Sequence, residues 1–289
     1  MTAVKATPLA GSFKTPRRQP RDLGPAIVLA LFAIVWIIPV VWTLSVSLKP
    51  EEVLRRDTGG LLPVPFTIEN YETVLSSSRI PRWFFNSVLV SVLHTGLLLA
   101  VSAMAAYAFA RVPFRGKSVV FAIVLAGLMV PGQVTFIPVY LMIAGLDWDN
   151  TYQALILPGI ATPFGVFLLT QFFRAIPMEI EEAATIDGAS RLTVLVRIIL
   201  PLSVPALVTL GLFTYLGIWN DFLWPLIAAT RPEMQTITVG LPQLVGNWGP
   251  VQFLGPTMAA SWVAAVPVVI IFLIFQKRLI RGITLGETG

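Results

Sequence analysis

The residues best placed to do chemistry gather between Glu182 and Pro201, and the chemistry they suit is docking, not bond-making. The segment reads Glu182-Ala183-Ala184, three residues, Gly188, nine residues, Ile198, one residue, Leu200-Pro201. Glu182 offers a carboxylate to a basic partner, and the two alanines beside it leave little side-chain bulk, so another backbone can approach closely. Asp187 adds a second acid just before Gly188. The plainer alternative is an amphipathic loop lying on a membrane. Catalysis is hard to build from the rest. His94 is the only histidine and there is no cysteine, which removes thiol nucleophiles, thiolate metal sites and disulfides. Gly116-Lys117-Ser118 ends like a phosphate-binding loop, yet Arg111 stands where its first glycine belongs, so this is a short turn.

The elements that must position the segment are legible. Pro177 suits a first helical turn, where its missing N–H is not needed, and Glu179, Glu181 and Glu182 crowd the positive end of the helix dipole. Gly188 fits the left-handed position that closes a helix. Ser190 can cap the next one, whose Leu192, Leu195, Val196 and Ile199 recur at helical spacing. Residues 177–201 therefore read as helix, tight turn, helix.

Hydrophobic residues make up 56% of the chain and charged residues 12%, with a mean hydropathy of +0.80. Such a chain is an all-α integral membrane protein. Six charge-free apolar stretches reach the roughly 20 residues that a spanning helix needs: about 25–48, 84–110, 118–144, 152–173, 199–218 and 257–276. They are continuously apolar, unlike the alternating strands of a barrel. The expected organisation is a basic tail (1–24), one transmembrane domain (25–276) and a C-terminal tail (277–289). The first span is too long for a cleaved signal and lacks a small-residue cleavage site, so it is expected to remain as an anchor. His94 falls inside the second span, where a neutral ring hydrogen-bonded within the bundle is the plain reading. Ser102, Ala106 and Ala110 form a small-residue stripe suited to close helix packing, within the chain or against a second subunit.

Basic loops set the orientation. Lys5, Lys14, Arg17, Arg18 and Arg21, then Arg111, Arg115 and Lys117, then Arg174, Arg191 and Arg197, then Lys277, Arg278 and Arg281 place 14 of the 20 basic residues on one side. Both termini and the 177–201 loop are therefore expected in the cytoplasm. Trp42, Trp83, Trp148, Trp219, Trp224 and Trp248 fall at or beyond the outer ends of spans, as an interfacial belt would. The pI near 9.8 thus reports topology, with no nucleic-acid partner.

The Glu182–Pro201 segment resembles, at every fixed position, the loop by which permease subunits of binding-protein-dependent ATP-driven importers touch their ATPases. Ser47-Leu48-Lys49-Pro50 with Asn70-Tyr71, the run Trp219 to Leu226, Thr238-Val239-Gly240-Leu241 and Gln276-Lys277-Arg278 are similar to sugar-class permeases, particularly the maltose-importer type. The resemblance implies a six-helix type I importer permease in a bacterial or archaeal cytoplasmic membrane, surrounded by lipid. It implies a second permease, an ATPase dimer that holds ATP and Mg, and an external sugar-binding protein, with no cofactor on this chain. Under it Glu182, Ala183, Ala184, Asp187, Gly188, Ile198, Leu200 and Pro201 couple to the ATPase. Gln243, Asn247 and Trp248 face the binding protein. Trp219, Asn220 and Asp221 could line the sugar pathway, since aromatic faces and amides hold sugars, or could serve as interfacial anchor and helix cap.

Other classes fit less well. An importer for glycerol phosphate, polyamine or peptide would share the coupling loop. A secondary transporter would be expected to show intramembrane carboxylates or an internal repeat, and the six spans hold no acid. A membrane enzyme would need a catalytic cluster that one histidine does not supply.

Overall fold

A computed structural model describes residues 23–56, 58, 60–76, 79–248 and 253–284, with side-chain surroundings for all of these except 23, 244–248 and 276–284. The regular elements among them are helices throughout. In chain order they are α1 (Leu23–Ser47), α2 (Glu51–Leu54), α3 (Glu69–Ser76), α4 (Ile80–Arg111), α5 (Lys117–Ala126), α6 (Gly132–Gly145), α7 (Tyr152–Ile156) and α8 (Pro163–Ala175). Then follow α9 (Met178–Ile186), α10 (Arg191–Val194), α11 (Leu200–Leu202), α12 (Val204–Asn220), α13 (Leu223–Ala228), α14 (Ile237–Trp248) and α15 (Leu254–Thr284).

All six apolar stretches are helical, but only three are single unbroken helices long enough to cross a membrane: α1, α4 and α15. The other three stretches are each divided between two shorter segments. The third stretch is α5 and α6, bent by 101° across Val130 and Pro131, and the fifth begins at Ile199 and α11 and bends by 80° at Ser203 into α12. The fourth divides at Pro158–Gly159, where Gly159 takes a positive φ of 83°, into short α7 and α8. Prolines explain the breaks. Each one removes a backbone donor and crowds the preceding turn, and Pro131, Pro158, Pro163, Pro201 and Pro205 stand at the interruptions.

The helices pack around α4, which lies against α8 and α12 most extensively. One core cluster joins Leu98, Ala103, Ala106 and Tyr107 of α4 to Leu169 and Phe173 of α8, Val194, Leu195 and Ile199, and Ala206 and Leu210 of α12. It sits toward the Arg111 end of the bundle. Close approach is possible because Ser102 and Ala106 are fully buried and a Cβ on Gly165 would lie 2.5 Å from Ser102 Oγ. The small-residue stripe thus packs within the chain, on α8. His94 is buried, and its Nδ1 donates to Ile156 O at 2.8 Å, as a neutral bundle ring should.

A second cluster, at the Trp83 end, joins Val74, Ile80, Trp83, Trp219, Ile237, Ala259 and Ala260. Side-chain amides and indoles lash the loops here by reaching backbone carbonyls. Asn70 Nδ2 donates to Ser47 O (2.9 Å) and Lys49 O (2.8 Å), and the Ser47 and Tyr71 hydroxyls pair at 2.8 Å. Asn86 Nδ2 donates to Glu233 O and Gln235 O, both at 2.9 Å, while Trp83 Nε1 donates to Pro232 O at 2.6 Å. The Glu51 carboxylate accepts from the N–H groups of Leu254 (3.2 Å) and Gly255 (3.0 Å), which caps α15. The Ser47–Pro50 and Asn70–Tyr71 fragments, far apart in sequence, are one brace.

Candidate functional site

The Glu182 segment folds as its residues dictate. α9 starts after Pro177 with Glu179 and Glu181 in its first turn, and ends as Gly188 adopts φ 86°, with Gly188 N–H donating to Thr185 O (3.0 Å) and Ala189 N–H to Ala184 O (2.9 Å). Ser190 Oγ then accepts from Thr193 N–H at 3.2 Å and caps α10. The turn between them is therefore tight and internally satisfied.

Glu182, Ala183 and Asp187 are exposed on the bundle's Arg111 end, and Ile186, at 86% exposure, is the most protruding apolar side chain of the segment. Ala184 faces inward and packs on the first core cluster. Only half of the expected apolar stripe is inside. Leu195 and Ile199 are buried while Leu192 and Val196 are open. A π-helical turn over Leu195–Ile199 adds a residue to the winding there, and Leu200-Pro201 follows it into the bend at Ser203. Ile198 is half-buried on this turn.

Glu181 behaves differently from its neighbour. It is buried and ion-paired with Arg111 Nε at the end of α4. Arg111 Nη2 also donates to Ile176 O at 2.6 Å, and the Tyr107 hydroxyl lies 3.5 Å from Glu181 Oε2. Tyr107, Arg111 and Glu181, with Met178, Glu182 and Arg191, line an open crevice of about 600 Å³ between α4 and α9. Burying such a pair is costly, and leaving either partner alone costs about 3–5 kcal/mol, so the two ends are strongly tied. Sequence reasoning placed Glu181 at a helix start and Arg111 in a basic loop but missed their pairing, and missed Tyr107. Successive residues of a helix turn by about 100°, which points one of two adjacent acids in and the other out, but nothing in the sequence names the partner.

At the opposite end, Trp219 is 2% exposed, set edge-on to Phe84 (5.7 Å) and stacked on Tyr215 (6.0 Å), with Nε1 donating to Ala264 O at 3.2 Å. Its ring faces are occupied by packing. Trp219 and Trp83, equally buried, both lie inside the bundle instead of in an interfacial belt. Asn220 is exposed and donates to Leu216 O at 2.8 Å. Asp221, one residue beyond α12, accepts from Trp224 N–H at 3.4 Å and, with Ser87, Ser91 and Thr236, gives the polar part of a mostly apolar cavity of about 80 Å³. Burial pushes its carboxyl up from the ordinary value, and the backbone N–H groups of Trp224, Leu223 and Phe222 pull it back. Gln243 accepts from Gln235 Nε2 at 3.0 Å, whereas the side chains of Asn247 and Trp248 lie outside the described residues, as do the tails 1–22 and 285–289.

Residues 96–285 match the family of binding-protein-dependent transport system inner membrane components. The chain belongs to this family. As a member it is a transport subunit and not an enzyme, and the matched region contains the whole Glu182–Pro201 segment. It is 35% identical over 261 residues to the trehalose/maltose transport system permease protein MalG of Thermococcus litoralis, covering 89% of this chain and 92% of that one. It is 34% identical over 277 residues to the arabinooligosaccharides transport system permease protein AraQ of Bacillus subtilis, covering 93% and 98%. The fold matches, with a TM-score of 0.80 and 22% identity over 91% of this chain and 99% of the other, a chain of a bacterial ABC transporter involved in import of the acidic polysaccharide alginate.

Proposed function

We propose that this permease forms half of the translocation pathway of an ATP-driven sugar importer, facing a second permease and seated on an ATPase dimer that binds ATP and Mg. The observation that carries the reading is the exposed Glu182-Ala183 surface, closed by left-handed Gly188, on a membrane bundle with no nucleotide motif of its own. Sugar is favoured over other solutes because relatives that match most of the chain are permeases for trehalose, maltose and arabinooligosaccharides. The Arg111 end then faces the cytoplasm, in keeping with its basic loops. ATP binding draws the ATPases together, and the helix-turn-helix around Gly188 carries that motion into α12 through the π turn and the Ser203 bend. Asn220 and Asp221 border the outer end of the pathway, and α14, with Gln243, Asn247 and Trp248, meets the loaded binding protein.

The test is reconstitution with the partner subunits. ATP hydrolysis should rise when binding protein loaded from a panel of maltose, trehalose and arabinooligosaccharides is added. The isolated permease should show no thermal shift with any of these sugars, because scattered groups on one half-pathway do not make a complete site. Stimulation by a polyamine-, peptide- or glycerol-phosphate-loaded protein alone would move the chain to another solute class. Sugar-dependent stabilisation of the lone subunit would overturn the half-pathway reading.

A further inference from the structure

We propose that Arg111 and Glu181 are positioning residues that make α4 and α9 one rigid body, so that ATPase motion reaches the pathway through α4 as well as through α12. The inference rests on the importer reading above. After Pro177, α9 lies across the Arg111 end of the bundle, held by apolar packing and by polar contacts from α4. Ala184 and Ala189 pack on the core cluster, which resists compression but not sliding. The polar attachment centres on the Arg111 guanidinium. Arg111, the last residue of α4, grips Glu181 by its Nε and Ile176 O by its Nη2, so one guanidinium holds both α9 and the backbone that enters it.

A planar guanidinium held at two of its nitrogens, by an ion pair and by a hydrogen bond, has less freedom to swing than an ammonium on a flexible stem. Both side chains are about nine-tenths buried, so solvent screens the pair only weakly. α4 is also the helix on which α8 and α12 pack, and it reaches the far end of the bundle, where Trp83, Asn86 and Ser87 hold residues 232–237. A push on α9 is thereby delivered to the helix that supports the outer loops.

The chain has no native cysteine, so labelled pairs can be introduced directly. Spin labels on Glu179→Cys (α9) and Met104→Cys (α4), both exposed, report the separation of the two helices in the reconstituted complex. Distances are compared with MgADP and with MgATP plus vanadate. In the otherwise wild-type complex the separation should be the same in both states. In Glu181→Gln, which keeps shape and loses charge, it should differ between the states by more than about 2 Å, the scale of helix shifts at interfaces. Basal ATP hydrolysis should stay within about twofold, since the exposed docking surface is intact; a role in folding alone would not create a nucleotide-dependent distance. Should Glu181→Gln fail to assemble, Arg111→Lys, which keeps the charge but loses the second grip, should give the same state-dependent shift. A wild-type separation that changes on trapping, or variants that stay as rigid as wild type, would overturn the proposal. A wild-type complex that neither holds an ATPase nor hydrolyses ATP would overturn the importer reading instead.

Discussion

At Gly188 the cost of a side chain is conformational and not steric. A van der Waals clash at the turn is the natural sequence-based expectation for Gly188→Val, yet a Cβ there meets nothing within 4 Å. The penalty comes from φ 86°, a region that costs an L-residue about 1–2 kcal/mol and is hardest on β-branched side chains. A graded series follows: Gly188→Asn should keep most activity, Gly188→Ala less, and Gly188→Val least, read as binding-protein-stimulated ATP hydrolysis. An equal loss for all three would mean that bulk, not backbone, is what the turn excludes. Glu182→Lys should weaken ATPase association at least tenfold, a loss of about 1.4 kcal/mol, by turning attraction to a basic groove into repulsion. Unchanged association measured by co-purification would remove Glu182 from the contact. At this scale the sequence was informative where backbone chemistry dictates geometry, as at Gly188 and Ser190. It was silent where a long-range partner decides, as with Arg111 for Glu181.

Among the elements, the α4–α8 contact is sensitive to small changes, because Gly165 leaves no room above Ser102. Gly165→Leu must push α8 off α4 and should lower the thermal midpoint of the purified permease, at a cost of about 1–3 kcal/mol. Gly132→Leu, where a Cβ meets nothing, should be nearly neutral in the same assay. Should the two behave alike, the close approach of α4 and α8 is not what limits stability. Hydropathy located all six apolar stretches, yet it was blind to their continuity, since proline and glycine inside an apolar run change the path and not the partition energy. The same blindness hid the role of Trp219. Position at a span end is shared by an interfacial anchor and by a core residue, and only the neighbours Phe84, Tyr215 and Ala264 separate them.

For the whole molecule, topology is the most direct prediction. Reporter fusions after residue 60 or 240 should read as external, and those after 115 or 185 as cytoplasmic, and one reversed reporter would show that a broken stretch such as α5–α6 turns back instead of crossing. The two ends of the bundle also differ in how they are tied, charge to charge at Arg111 and side chain to carbonyl around Trp83. A carbonyl is the same whatever side chain it carries. Asn86 and Trp83 therefore read the course of residues 232–235 without reading the identity of Pro232 or Glu233. The surface these residues present is free to drift by mutation while its frame stays put, so a change of external partner requires no change in the scaffold. The Arg111–Glu181 tie offers no such latitude, and heritable variation should accumulate at one end of the molecule and be purged at the other.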